Sequence, residues 1–231
     1  MNVVSISATR TFWALAFVIA GLVCANLIAV LYFRDYLQND WLWGLVPLFN
    51  MDAESNIPTF FSTGLLLTCA LLLGTIAALR SQERHPSAIK WAGLALVFLY
   101  VSMDEAAGIH GLLTEPTQRR LGVSGALSFA WVIPAMAAVV VLATLYVRFI
   151  LALPRRIRLL FIVSAMVYVG GAVGLEMVAA AWVELHTKDN TTYVLISTLE
   201  ETLEMLGATI FIYALLIYLQ TEFGSFRVRF R

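Results

Sequence analysis

Three residues in the stretch "LYVSMDEAAGIHGLL", Asp104, Glu105 and His110, are types that ligate metals or move protons, yet they lie in a run otherwise apolar enough to cross a bilayer. Glu176 stands in a second such run, and Glu200, Glu201 and Glu204 in a third. No Lys or Arg lies comparably deep in any of them. A charge at the bilayer centre costs at least about 2.5–3.5 kcal/mol on insertion scales. Carboxyl groups kept there must therefore be protonated, hydrated or bound to a cation.

Each solution implies a chemistry. Like carboxylates sharing a site raise one another's proton affinity, which suits a proton relay or a hydrogen-bonded network. A cation explains more, because carboxylates combined with one imidazole match Zn²⁺, Mn²⁺ or Fe²⁺, whereas an all-oxygen set would suit Ca²⁺ or Mg²⁺. The expected metal ligands are Asp104, His110, Glu176, Glu201 and Glu204, with Glu105 and Glu200 as proton acceptors. The paired Glu-x-x-His pattern of di-iron bundles is absent.

The elements that must position these groups follow from composition. The chain has 231 residues, of which 61% are hydrophobic and 13% charged, and its mean hydropathy is +0.84. Soluble domains are only about 45–50% apolar, so the sequence reads as an integral membrane protein. Spanning runs need about 20 residues. Six can be placed, at 11–33, 58–80, 88–113, 126–150, 159–184 and 191–219, which predicts one six-helix transmembrane bundle over residues 1–231.

Cytoplasmic loops keep Lys and Arg. With both ends of the chain inside, the inner side holds eleven basic residues: Arg10, Arg80, Arg84, Lys90, Arg148, Arg155, Arg156, Arg158, Arg227, Arg229 and Arg231. The outer side holds four, Arg34, Arg119, Arg120 and Lys188. The expected orientation is N-in and C-in, in a bacterial inner or plasma membrane. Zero net charge and the lack of a basic run interleaved with aromatics exclude nucleic acid as a partner.

Counting inward from the outer loops at 1.5 Å per residue, the acids on the third, fifth and sixth runs all lie about eight to ten residues deep. A shared site predicts that agreement in level. Glu200, Glu201 and Glu204, three and four residues apart, share a broad helix face. On the third helix, Asp104, Glu105 and His110 cannot all converge from a straight helix, so either Gly108 loosens it or one of the three supports the others. Gly170 and Gly174 offer a small-xxx-small face that would bring Glu176 toward its neighbours. Asn26, Ser62 and Thr63 come at a similar level and are candidates to complete the shell.

The longest connection, Arg34 to Pro58, is amphipathic and ends in the acidic "NMDAES". It predicts an interfacial segment that either covers the site or anchors the protein through its aromatics. Adjacent Glu200 and Glu201 resemble the start of the CAAX-protease-like intramembrane motif. Met205 stands where that motif has Arg and its His motifs are missing, so the resemblance implies nothing further here.

Three functions remain open. The first is a metal-dependent membrane enzyme of the hydrolase type acting on a lipid or lipophilic substrate from the outer leaflet. The second is a divalent-cation or proton-coupled transporter using the same acids. The third is a structural or accessory membrane subunit. The apolar inner half of the last helix, "ATIFIYALLIYL", disfavours a through-path.

Overall fold

The computed structural model describes residues 3–5, 7–186, 188, 190–224 and 227–229, and of 3–5 and 227–229 the backbone alone. Arg231, one of the basic residues behind the expected orientation, lies outside the described residues. Helices carry the fold. Five of them, or six if one bent pair counts as a single span, are long and apolar enough to cross a membrane.

The first, α1 (Ala8–Leu27), runs on through a wide π-helical stretch to Tyr36. The connection that follows holds a short helix, α2 (Leu45–Phe49), and leads to α3 (Ile57–Gln82). Next come α4 (Ala88–Ala107) and α5 (Gly111–Leu121), bent by 90° at the break between them. The remaining helices are α6 (Val132–Leu151), α7 (Arg155–Val169), α8 (Glu176–Leu185) and α9 (Thr191–Phe223). A π-helical turn, Gly170–Leu175, joins α7 to α8 in one continuous span. Antiparallel strands β1 (Val3–Ser5) and β2 (Arg227–Arg229) pair, which brings the two ends of the chain to one side.

The 88–113 span of the sequence reading is therefore two helices. Gly108 ends α4 in the left-handed region, φ 59°, where residues with a Cβ are strained. The span expected at 126–150 begins later, at Val132, after a short 3₁₀ turn at Gly125–Leu127.

Helix α9 is the axis of the bundle, with 72% of its apolar window buried, against 6% for α6. Its Met205, Ile212, Leu215 and Leu219 meet Leu66, Leu73 and Ile76 of α3 and Ile157 and Phe161 of α7 in one core. Trp91 of α4 is wholly buried there, edge-on to Phe149 and Phe161 and against Tyr218. One end of the bundle gathers the basic residues. There Arg80 donates to the Tyr218 hydroxyl at 2.6 Å and to Glu83 at 2.9 Å, and packs on the Phe223 ring. We call this the arginine end and the opposite one the acidic end.

The seam between α7 and α9 depends on glycine, though not on the pair the sequence suggested. Gly170 and Gly174 face open space, while Gly171 and Gly207 lie in the contact. Gly171 continues the face of Ile157, Phe161, Ser164 and Tyr168 at three- and four-residue steps, and a small-xxx-small spacing alone does not tell which face a helix turns to its neighbour. Ser164 bridges the same seam, donating to the Gly207 carbonyl at 2.9 Å.

At the acidic end the connection from α1 to α3 is tied down by asparagines. Buried Asn26 accepts from the Met51 N–H at 2.9 Å and donates to Thr198 Oγ1 of α9 at 2.8 Å. Asn56 caps α3 by accepting from the Thr59 N–H, and donates to the carbonyls of Asn50 and Ala53. Within this connection Val46 and Met51 turn inward, while Trp41 and Trp43 are left 67% and 88% exposed, as an interfacial segment requires. Asn26 is fully used in holding it and does not join the site.

Candidate functional site

The break after α4 is built by Asp104. Its carbonyl accepts the Gly108 N–H at 2.8 Å, its Oδ1 accepts the His110 N–H at 2.6 Å, and its Oδ2 lies 3.1 Å from His110 Nδ1. A helix that ends in a left-handed glycine leaves donors beyond it without intrahelical partners. Here one carboxylate takes both the backbone and the ring of the residue two positions past that glycine. This resolves the angular conflict of a straight helix, because His110 folds back over the end of α4.

From His110 the contacts continue across the bundle. Its ring lies 4.6 Å, centroid to centroid, from that of Trp131 at the start of α6, and the Trp131 indole N–H donates to Glu176 Oε1 of α8 at 2.8 Å. Glu176 in turn neighbours Glu200 of α9. Glu204, one turn on, faces Tyr168 of α7. Glu201 is within electrostatic range of Glu105 of α4, and Glu105 is met from α3 by the Ser62 hydroxyl. Glu200 and Glu204 are only 9% and 8% exposed. Thr63 presents its carbonyl to Ser102 rather than its hydroxyl to the acids.

All seven residues singled out from the sequence line one cavity of about 930 Å³. Asp52 and Glu54 from the connection between α1 and α3 join them, bringing the carboxyl groups to eight. Asp52 Oδ1 accepts from the Tyr193 hydroxyl at 2.7 Å. Glu54 lies against Gly108, so close that a Cβ built there would meet its oxygens at 2.5 and 2.7 Å. Two acids of "NMDAES" thus line the cavity. At the mouth stands Lys188, its ammonium 5.0 Å from the Phe129 ring centroid and 5.6 Å from that of Tyr193.

The rest of the wall is apolar. Val97 and Val101 of α4, Val139 and Leu142 of α6, and Val169 and Val173 on the α7 side line it. Because α6 is so little buried, this apolar part lies behind a helix exposed along most of its length. In the core between α4, α7 and α9, Phe98 stacks on Phe211 at 4.7 Å and Phe161 is edge-on to Phe211 at 4.7 Å; none of the three lines the cavity.

Sequence reasoning missed Trp131, Tyr168, Tyr193 and Lys188. Trp131 carries an indole N–H, a donor that seeks a partner when buried, which a search for ionisable types passes over. Lys188 belongs to a short connection whose distance from the acids in space has no signature in the chain.

The carboxyl groups ring the cavity rather than meet at a point. Among the described residues, no three His, Cys, Asp or Glu side chains converge closely enough to hold a metal ion. A cation would therefore be held only after glutamates with three rotatable side-chain bonds swing inward. His110 is suited in advance, since a carboxylate holding Nδ1 leaves Nε2 for a metal, the arrangement common among ligating histidines.

Fold and site together define a helical protein with five to six membrane-length helices around an acid-lined cavity. The chain belongs to the family described as Domain of unknown function (DUF8692), which matches residues 14–219. No curated protein and no solved structure matches it.

Proposed function

We propose that this chain is a six-span membrane enzyme with its arginine end in the cytoplasm, a metal-dependent hydrolase acting on a lipid or other lipophilic substrate. One observation carries the reading: a single cavity joins a carboxylate and imidazole end to an apolar wall. A coupled transporter needs a polar route to both faces, and the largely buried Ala208–Leu219 stretch of α9, apolar but for Thr209, Tyr213 and Tyr218, opposes one. An accessory subunit has no need of a cavity so divided.

In this reading Glu201, Glu204, Glu176 and His110 Nε2 hold a divalent transition ion, and Asp104 orients the imidazole. Such an ion would supply Lewis acidity to a water, and Glu105 or Glu200 would stand as the proton acceptor. The substrate's apolar part lies along α4 and α6 and enters past α6, the helix least committed to the core.

Elemental analysis of protein purified in detergent, without a metal-affinity step or chelator, tests this. The expected result is about one or more equivalents of Zn, Mn or Fe, lost in an E201Q/E204Q variant that retains its helical content. Wild-type protein without metal overturns the proposal.

A further inference from the structure

The proposed function leaves the polar group of the substrate undefined, and the cavity mouth speaks to it. Eight carboxyl groups line the cavity against one cation, Lys188. A divalent ion and Lys188 together offset at most three negative charges, and shared protons lower the charge of the other carboxyl groups. Each carboxylate left ionised repels an anionic headgroup in a region of low dielectric, where repulsion is weakly screened.

Lys188 itself carries the second observation. Its ammonium is seated over two aromatic faces, 5.0 Å from Phe129 and 5.6 Å from Tyr193, and both residues line the cavity. Tyr193 also donates to Asp52, so this pair of rings is backed by a carboxylate. Aromatic faces backed by anions favour ammonium groups, and quaternary ones most clearly, because their weak hydration makes desolvation cheap. The protein's own lysine thus marks a place built for a cation, on a tether short enough to leave it.

On the reading above, in which the cavity admits a lipophilic substrate, we infer that the substrate is a cationic amphiphile: an alkyl chain along the apolar wall of α4 and α6, with an amine or quaternary ammonium head that displaces the Lys188 ammonium from Phe129 and Tyr193. Lys188 is then a competitor for the head's place and swings out on binding. The volume of about 930 Å³ lies at the upper end of sites that enclose drug-sized molecules, usually about 300–1,000 Å³.

The test uses three labelled probes with one dodecyl chain and different heads: a trimethylammonium, an alcohol and a phosphate. Binding is measured to the full chain in maltoside micelles with chelator present, and protein-free micelles are subtracted. The ammonium probe is expected to bind roughly tenfold more tightly than the alcohol, the size of a desolvated cation–π contact reinforced by anions. The phosphate is expected to bind more weakly than either.

K188Q is expected to tighten ammonium binding severalfold by vacating the rings, a gain that misfolding cannot produce. F129L is expected to weaken it while leaving the alcohol unchanged. Equal affinity for the three heads, or no gain in K188Q, overturns the inference. Metal content of the same preparations, measured before chelator is added, keeps the two proposals apart. Ammonium selectivity in metal-free protein would sink only the metal-enzyme reading, and bound metal without selectivity would sink only this one.

Discussion

Gly207→Ala is expected to lower the thermal stability of the protein sharply, by the equivalent of about 3 kcal/mol or more, the upper range for overpacking a tight interior. A Cβ at this position would meet the backbone nitrogen of Tyr168 at 2.7 Å and its Cα at 2.8 Å. These are backbone atoms of α7, which cannot yield as the end of a flexible side chain would, so α7 and α9 must part. Separation also loosens the bond from Ser164 to the Gly207 carbonyl, worth about 1 kcal/mol. The matched controls are Gly170→Ala and Gly174→Ala, where an added methyl group meets nothing within 4 Å. Those are expected to be neutral or slightly stabilising, since alanine loses less backbone freedom on folding. Thermal melts of the three variants in one detergent check this. Equal stability of G207A and G170A would mean that the two helices are not in close contact at Gly207.

That contrast also marks where sequence reading succeeds and fails. Hydropathy locates the spans because a bilayer demands about 20 apolar residues. The common depth of Asp104, Glu176 and Glu200 is legible because helical rise turns residue counts into distances. Facing is harder. Gly171 rather than Gly170 or Gly174 lies in the α7–α9 seam, on the face that Ile157, Phe161, Ser164 and Tyr168 begin, and a bare small-xxx-small spacing does not show that face. The arrival of Asp52, Glu54 and Lys188 at the cavity depends on how two connections fold back over the acidic end, the first of them held by Asn26 and Asn56. Those asparagines look like ordinary polar loop or span residues until their partners are known. Trp131 is a further case, since its indole resembles a membrane anchor in sequence and becomes a hydrogen-bond donor only once Glu176 is opposite it.

Asp104 carries two separable tasks, and two substitutions are expected to divide them. In Asp104→Ala the His110 N–H loses its acceptor, and the 90° break between α4 and α5 keeps only Gly108 to define it. Hydrogen bonds to charged acceptors contribute about 1.5–3 kcal/mol, so exchange of the His110 amide should accelerate by roughly ten- to a hundredfold where local opening governs it. Asp104→Asn keeps a carbonyl oxygen for that amide, and the break should stay protected to within a few fold. What the asparagine cannot keep is the negative charge at His110 Nδ1. Removing such an outer partner of a ligating histidine typically costs about 10–100-fold in metal affinity. Thus D104N should preserve the turn and release the metal, whereas D104A should lose both. Hydrogen exchange read beside metal content distinguishes the outcomes. Unchanged exchange in D104A would assign the break to Gly108 alone. Unchanged metal content in D104N, with the turn intact, would take Asp104 out of the metal-orienting role and leave it as the helix stop that lets His110 fold back toward Trp131.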